Sequence, residues 1–405
     1  MAEPCIFGLD LGSTKTCALA CEVLDNGRLR VAGFGVAESR GWRRGVIVNL
    51  DSACLSIKKA IEAAEDAASV PLDSAYLGVG GPHIRGVNSR GGLTLSKGSR
   101  AAREVTNEDV RKVFEAAQAI TLPPDREVIY AERQEYLLDA QNGIRNPVGM
   151  AGARLEVDVH LVTASTLAHE NVILAVNRSG LKVNATIFEA LASAEACLTP
   201  DERELGVALI DIGGGGSNVV LYDEGCLRYS GVIPIGGDHF TNDIAVGLRT
   251  PIPEAEKIKV EWGQRDPSAD EGKALEVACV GERPSRTVSY GVVGEIIEPR
   301  AQELLELIAK ELERSGMQKQ LGGGVVLTGG GGKLGGLVGM VENALELPAR
   351  IGVPYGLEEM GDVLPDAVYA TVAGLVIHGY RLRRLHDARG PGVANKLWGI
   401  FRARN

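Results

Sequence analysis

Two segments of this chain, half its length apart, share one design. The first runs Cys5-Ile-Phe-Gly-Leu-Asp-Leu-Gly12, an apolar strand ending in Asp10-x-Gly12, turns through Ser13-Thr14-Lys15, and returns as a second apolar run from Thr16 to Leu24. The second runs Val207-Ala-Leu-Ile-Asp-Ile-Gly213, turns through Gly214-Gly-Gly-Ser217, and returns as Asn218-Val-Val-Leu-Tyr222. Each is a β-hairpin with an aspartate near the end of its entering strand. Two copies of one supersecondary unit at so long an interval imply two related lobes, since a solenoid would show more. The length agrees: 405 residues are too many for one core and fit two to four units.

A tight turn of Gly, Ser and Thr between strands can aim successive backbone N–H groups inward as an anion-binding nest. Two such turns facing each other could grip the phosphates of one nucleotide, with Gly12, Ser13, Thr14 and Lys15 on one side and Gly213, Gly214, Gly215, Gly216 and Ser217 on the other. The carboxylates of Asp10 and Asp211 would then hold Mg²⁺ through water, because that ion keeps part of its hydration shell. Either Asp-x-Gly alone could be only a turn; their pairing favours a shared site. A third glycine run, Leu327-Thr-Gly-Gly-Gly-Gly332, follows another apolar strand and would let a flat adenosine lie against the main chain. The same run matches a dinucleotide fingerprint at Gly330, Gly332 and Gly335, but no βαβ unit of normal length precedes it. The P-loop pattern fails, since Leu follows Lys333.

Other classes recede on composition. Aromatic residues at 4% leave little for stacking on nucleic-acid bases. The seven cysteines are odd in number and lack C-x-x-C spacing, which speaks against a disulfide framework or a zinc site. The N-terminus lacks a basic segment before its apolar run, and no uncharged apolar stretch approaches 18 residues, so a cytoplasmic chain without a membrane span is expected.

Between the hairpins, Ala53 to Ala68 reads as a helix and Ala75 to Val79 as a strand that breaks at Gly80-Gly81-Pro82. Thr106-x-x-Asp109 opens a helix with Val110, Val113, Phe114 and Ala117 on one face, and Leu155, Val157, Val159 and Leu161 alternate with polar residues as a half-buried strand. Residues 80–163 therefore form a small α+β insertion in the first lobe. In the second lobe, Glu254 to Gly263 reads as a helix, Lys273 to Val280 as a strand, and a long helical pattern interrupted by Pro299 reaches Arg314. The expected division is 1–79, 164–195 and 350–385 for the first-lobe core, 196–235 and 306–349 for the second, with 236–305 inserted in the latter. Residues 386–392 read as a linker and 393–405 as a terminal helix.

That terminus is unlike the rest. From His378 onward the chain carries +6, against −16 for the preceding residues. Val393, Leu397, Ile400 and Phe401 share a helical face with Trp398 at its edge, and Lys396, Arg402 and Arg404 surround them. A basic amphipathic helix of this kind can lie in a membrane interface with its cations near anionic head groups, a weak anchor that multivalency would strengthen. The alternative is a helix docked on the body.

In their order the three glycine-rich motifs resemble the actin, sugar-kinase and heat-shock chaperone ATPase superfamily. Within it the chain resembles the FtsA family of bacterial cell-division proteins, through Ser39-Arg-Gly41, Gly45-Val-Ile-Val48, Asn146-Pro-Val-Gly149, Asp201-Glu-Arg-Glu-Leu-Gly206, Ala255-Glu-Lys-Ile-Lys259, Val280-Gly281 with Arg283-Pro284, and Ile297-Glu-Pro-Arg300. The resemblance implies an α/β, two-lobed actin-like ATPase fold that binds ATP and Mg²⁺ and assembles head to tail. It further implies a peripheral protein of the inner membrane at the division site, binding the C-terminal peptide of the tubulin-like FtsZ through 236–305, with Arg286 and Arg300 as contacts unless they cap helices or pair locally, and other divisome proteins through 80–163. It places Glu256 and Lys259 at the ribose or adenine, Gly329, Gly330 and Gly331 at the base, and Glu189 where a glutamate would orient the attacking water. Glu195 is the competing acid there, as a partner in an ion pair between the lobes. At Gly216-Ser217-Asn218 the chain departs from the hydroxyl residues and Asp usual in the superfamily, which favours binding over turnover. A pilus-assembly adaptor and a small-molecule kinase are the rival members of the same fold.

Overall fold

A computed structural model describes residues 5–43, 45–96, 102–263, 273–281 and 284–389. Two mixed sheets form the two lobes. The first has six strands in the order Lys182–Phe188, Ser74–Val79, Cys5–Leu11, Lys15–Val23, Leu29–Glu38 and Leu357–Glu358. The second has five, in the order Cys226–Ile233, Ser217–Asp223, Val207–Ile212, Val325–Thr328 and Ala349–Ile351. In each, the aspartate-bearing strand pairs antiparallel with its hairpin partner and parallel with a later strand on its other side. The repeat seen in sequence is thus a repeat of topology.

Alternation along Val207–Ile212 shows how the lobes are held. Val207 and Leu209 join a core continuous with the first lobe, whereas Ala208, Ile210 and Ile212 join a separate core within the second. Asp211 continues the first of these faces, so its side chain meets the helices that cross between the lobes. These are Glu189–Cys197 and Ala370–Arg389. They pack at small residues: a Cβ on Gly374 would overlap the carbonyl of Ala192. Glu195 on the first accepts from Arg203 at 3.3 Å and from Arg381 on the second at 2.9 Å. Burial alone would raise its pKa, but His378, Arg203 and Arg381 hold it down at about 2.

The insertion is a four-stranded sheet, Gln141–Ile144, Arg126–Leu138, Arg154–Ser165 and Arg85–Thr94, backed by the helix Asn107–Gln118. Thr106 and Asp109 make a reciprocal capping box, and Arg103 grips the Asp109 carboxylate with two bonds of 2.7 Å. The buried face of the central strand is Leu155, Val157, Val159 and Leu161, as its alternation predicts.

Several expected boundaries move. Ala349–Ile351 pairs with Val325–Thr328, so the second sheet extends past residue 350. The strand expected over 273–280 is shorter, Ala274–Val277. The helix Tyr290–Ser315 runs unbroken through Pro299. One lost backbone bond is outweighed there by the buried face of Ile297, Ala301, Leu304 and Ile308. The last helix continues to Arg389, which overlaps the linker expected from 386. The proposed membrane residues Lys396, Leu397, Trp398, Ile400, Phe401, Arg402 and Arg404 lie outside the described residues.

Candidate functional site

The two hairpins face each other across a cleft with a cavity of about 580 Å³, within the range of small-molecule sites. Its walls hold Asp10 to Lys15, Asp211, Gly213 to Gly216, Glu256, Lys259 and Gly329 to Gly331. The hairpin tips approach closely: a Cβ on Gly214 would stand 2.5 Å from Thr14 Cγ2. Ser217 points elsewhere, its hydroxyl buried and donating to Ile235 O at 2.6 Å. Ser13 accepts from the backbone N–H of Gly45 at 3.0 Å, which ties the family-like Ser39 to Val48 segment to the first turn.

Three carboxylates and one ammonium converge at the cleft floor. Lys15 donates to Val368 O and stands 4.9 Å from the Tyr369 ring centroid. Asp211 accepts from the hydroxyls of Ser193 at 2.6 Å and Thr371 at 3.2 Å, one on each crossing helix. Glu189 begins the helix Glu189–Cys197 and accepts from Asn218 Nδ2 at 3.1 Å. Gly80 gives it room, since a Cβ there would overlap its carboxylate.

Charge is undercompensated. Burial pushes Asp10 up to about 6; Lys15 opposes this and Asp211 adds to it. Burial likewise pushes Glu189 up to about 8, reinforced by Asp10 and Asp211. Asp211 is raised by burial against the pull of its two hydroxyl donors and Lys15. Burial would lower Lys15, but Cys17 and the two aspartates outweigh it and raise it. With all four groups ionised the floor carries −2, a charge that a divalent cation would neutralise. Among the described residues no cluster of three metal-ligating side chains forms a direct cage.

At the opposite end, Lys259 donates to Gly237 O at 3.2 Å, Thr241 at 2.9 Å and Glu256 at 2.7 Å, and Thr241 also donates to Glu256. Glu256 and Lys259 therefore form a braced pair in the wall of the cavity that Gly329 to Gly331 also line. Three wall residues had no sequence signal of their own. Trp42 and Val172 belong to distant segments, and Thr371 is one hydroxyl among many. Gly80-Gly81-Pro82, read only as a strand break, also lines the cavity.

The two arginines expected to meet a partner, Arg286 and Arg300, both have contacts within the chain. Arg300 makes two bonds to Asp243, at 2.7 and 3.1 Å, and also pairs with Glu303. Arg286 is exposed and donates to Leu248 O at 2.7 Å, at the end of the helix Gly237–Leu248.

Two related lobes, each with an Asp-bearing hairpin and joined by crossing helices, define an actin-like protein. The PilM–PilN type IV pilus biogenesis complex has a chain that superposes with a TM-score of 0.65 at 15% identity, over 93% of this chain and 98% of that one. MreB 5 of Spiroplasma citri bound to AMPPNP superposes with a TM-score of 0.59 at 13% identity, over 96% and 100%. The sequence is more particular. The family model "Cell division protein FtsA" matches residues 208–374 and "SHS2 domain inserted in FTSA" matches 81–163. Cell division protein FtsA of Pseudomonas aeruginosa is 43% identical over 394 residues, covering 97% of this chain and 93% of that protein. FtsA of Escherichia coli K12 is 38% identical over 382 residues, covering 92% and 90%. The chain belongs to the FtsA family of cell division proteins.

Proposed function

We propose that this cell division protein binds ATP with Mg²⁺ between its lobes, assembles head to tail, and tethers FtsZ to the cytoplasmic face of the inner membrane. The observation that carries the nucleotide reading is the pair of facing hairpins, with Asp10, Asp211 and Glu189 around one lysine. Backbone N–H groups of both turns would hold the phosphates, while Lys15 balances part of their charge. Mg²⁺ would supply the remaining positive charge. Gly329 to Gly331 would face the base, with Glu256 and Lys259 beside the ribose. Glu189 would accept a hydrogen bond from a water at the phosphate end, a reading supported by its burial in the cleft and its contact with Asn218. Turnover is expected to be slow, because Asn218 stands where the superfamily usually keeps an Asp.

Attachment to the membrane is assigned to residues 393–405 on their basic amphipathic pattern. No helix among the described residues is long and apolar enough to cross a membrane. The FtsZ peptide is assigned to 236–305, where Arg286 is an exposed cation and Arg300 braces the helix Tyr290–Ser315 through Asp243. Residues 80–163 are assigned to other divisome partners.

Calorimetry with ATP and Mg²⁺ tests the cleft, and co-sedimentation with anionic vesicles, with and without residues 391–405, tests the anchor. No heat of binding removes the nucleotide reading. Full-length protein that ignores the vesicles removes the tether.

A further inference from the structure

The insertion belongs to the first lobe by chain path, yet it is stitched to the second. Its sheet meets the strand Cys226–Ile233 through a row of polar contacts. His160 lies at their centre, with Nδ1 2.6 Å from Asn88 Oδ1 and Nε2 2.8 Å from Ser230 Oγ. Asn88 Nδ2 donates to Arg228 O at 3.2 Å, and Gln134 Nε2 to Leu227 O at 2.9 Å. The Leu227 N–H donates to Glu132 at 3.3 Å. Gly86 permits the approach, since a Cβ there would overlap both Oγ and O of Ser230.

The chemistry of His160 suits this place. Burial lowers its pKa to about 4, so the ring is neutral near neutrality and offers one donor and one acceptor. Asn88 turns its oxygen to the ring because its nitrogen serves Arg228, so Nδ1 carries the proton and Ser230 donates to Nε2. A neutral, fully partnered contact forms and parts without moving a buried charge through water.

The strand held in this way is no bystander to the cleft. It pairs with the return strand of the second hairpin along its length, Asn218 opposite Val232 and Ser217 opposite Ile233. Ile233 and Pro234 line the cavity, and Ser217 is tied to Ile235. We propose that the insertion is a clasp across the lobes, holding the strand Cys226–Ile233 and through it the second hairpin in the closed position. The proposal rests on the reading of the cleft as a nucleotide site. By linkage, nucleotide in the cleft strengthens the clasp, and a partner that draws the insertion away loosens the nucleotide.

The test uses the full chain and three variants: Ser230→Ala, His160→Ala and Gly86→Val. Ser230→Ala is small enough to keep the fold if the other two do not, and a thermal melt checks each. Amide exchange over 85–90 and 226–233 reads the contact, and stopped-flow release of a fluorescent ATP analogue reads the coupling. Faster exchange in both segments is expected, with release about fivefold faster, at the low end of ordinary coupling between sites. Wild-type protein that binds no nucleotide sinks the cleft reading and the clasp with it. Bound nucleotide with unchanged release in every folded variant overturns the clasp alone.

Discussion

The two hairpins bury the same residue and treat it differently. In the first, Asp10 stands opposite Cys17 across the ladder, and Lys15 supplies positive charge from the hairpin's own return strand. In the second, Asp211 stands opposite Asn218, takes its hydrogen bonds from neutral donors, Ser193 and Thr371, both borrowed from the crossing helices, and feels positive charge only from Lys15 of the other hairpin. One hairpin carries its counter-charge in its own sequence. The other depends on tertiary neighbours and, in the proposed reading, on a bound cation. Backbone cradles can repeat while the electrostatics around them diverge.

Loss of Lys15 is the most damaging change this comparison foresees. Lys15→Ala leaves three buried acids without a cation and is expected to weaken ATP binding about a hundredfold or more, within the cost of breaking a buried pair. Calorimetry checks it, and a loss no greater than that of Asp211→Ala would make the hairpins equivalent.

The pH dependence of the nucleotide-free protein separates the acids next. Folded values of about 6 for Asp10 and about 8 for Glu189 lie above their ordinary range, so the folded state holds more protons than the unfolded one. Stability is therefore full at low pH and falls as pH rises through that window, by an amount of the order of a few kcal/mol. Asp10→Asn should flatten the slope only up to about pH 6 and Glu189→Gln the slope up to about pH 8, read as melting temperature against pH. A slope unchanged in both variants would place the titration elsewhere.

Asp211→Ala should cost about tenfold in affinity, and only when Mg²⁺ is present, if its role is to the ion's water shell. An equal loss in EDTA would mean that it shapes the turn instead. The smallest effect belongs to Asn218→Ala, which removes one donor from Glu189: about threefold in affinity or less, from a single hydrogen bond. A larger loss would show that Asn218 touches the nucleotide itself.

Much of this site was legible because it is local. Asp10, Gly12 to Lys15, Asp211 and Gly213 to Gly216 announce themselves through strand, turn and strand, and Gly329 to Gly331 through a glycine run after a strand. Glu189, Glu256 and Lys259 came from resemblance, as their spacing is common on solvated helices. Trp42, Val172, Ser193 and Thr371 left no trace, for each is an ordinary residue whose role depends on what folds against it. Arg300 carries the complementary lesson: read as a peptide contact or as a local pair, it is bonded to Asp243, 57 positions away, because two helices pack side by side.

From the sequence alone came the paired hairpins, the two-lobed plan, the α+β insertion over about 80–163 and the charge contrast of the terminus. These are encoded in short-range periodicity and turn chemistry, which depend on neighbours in the chain. Only the tertiary structure decided that the hairpins meet and leave the floor short of positive charge, that Glu195 joins the crossing helices, and that the insertion reaches the second lobe through His160. Those features join residues tens to hundreds of positions apart, and burial, which sets their charge states and hydrogen-bonding demands, exists only once the lobes have packed.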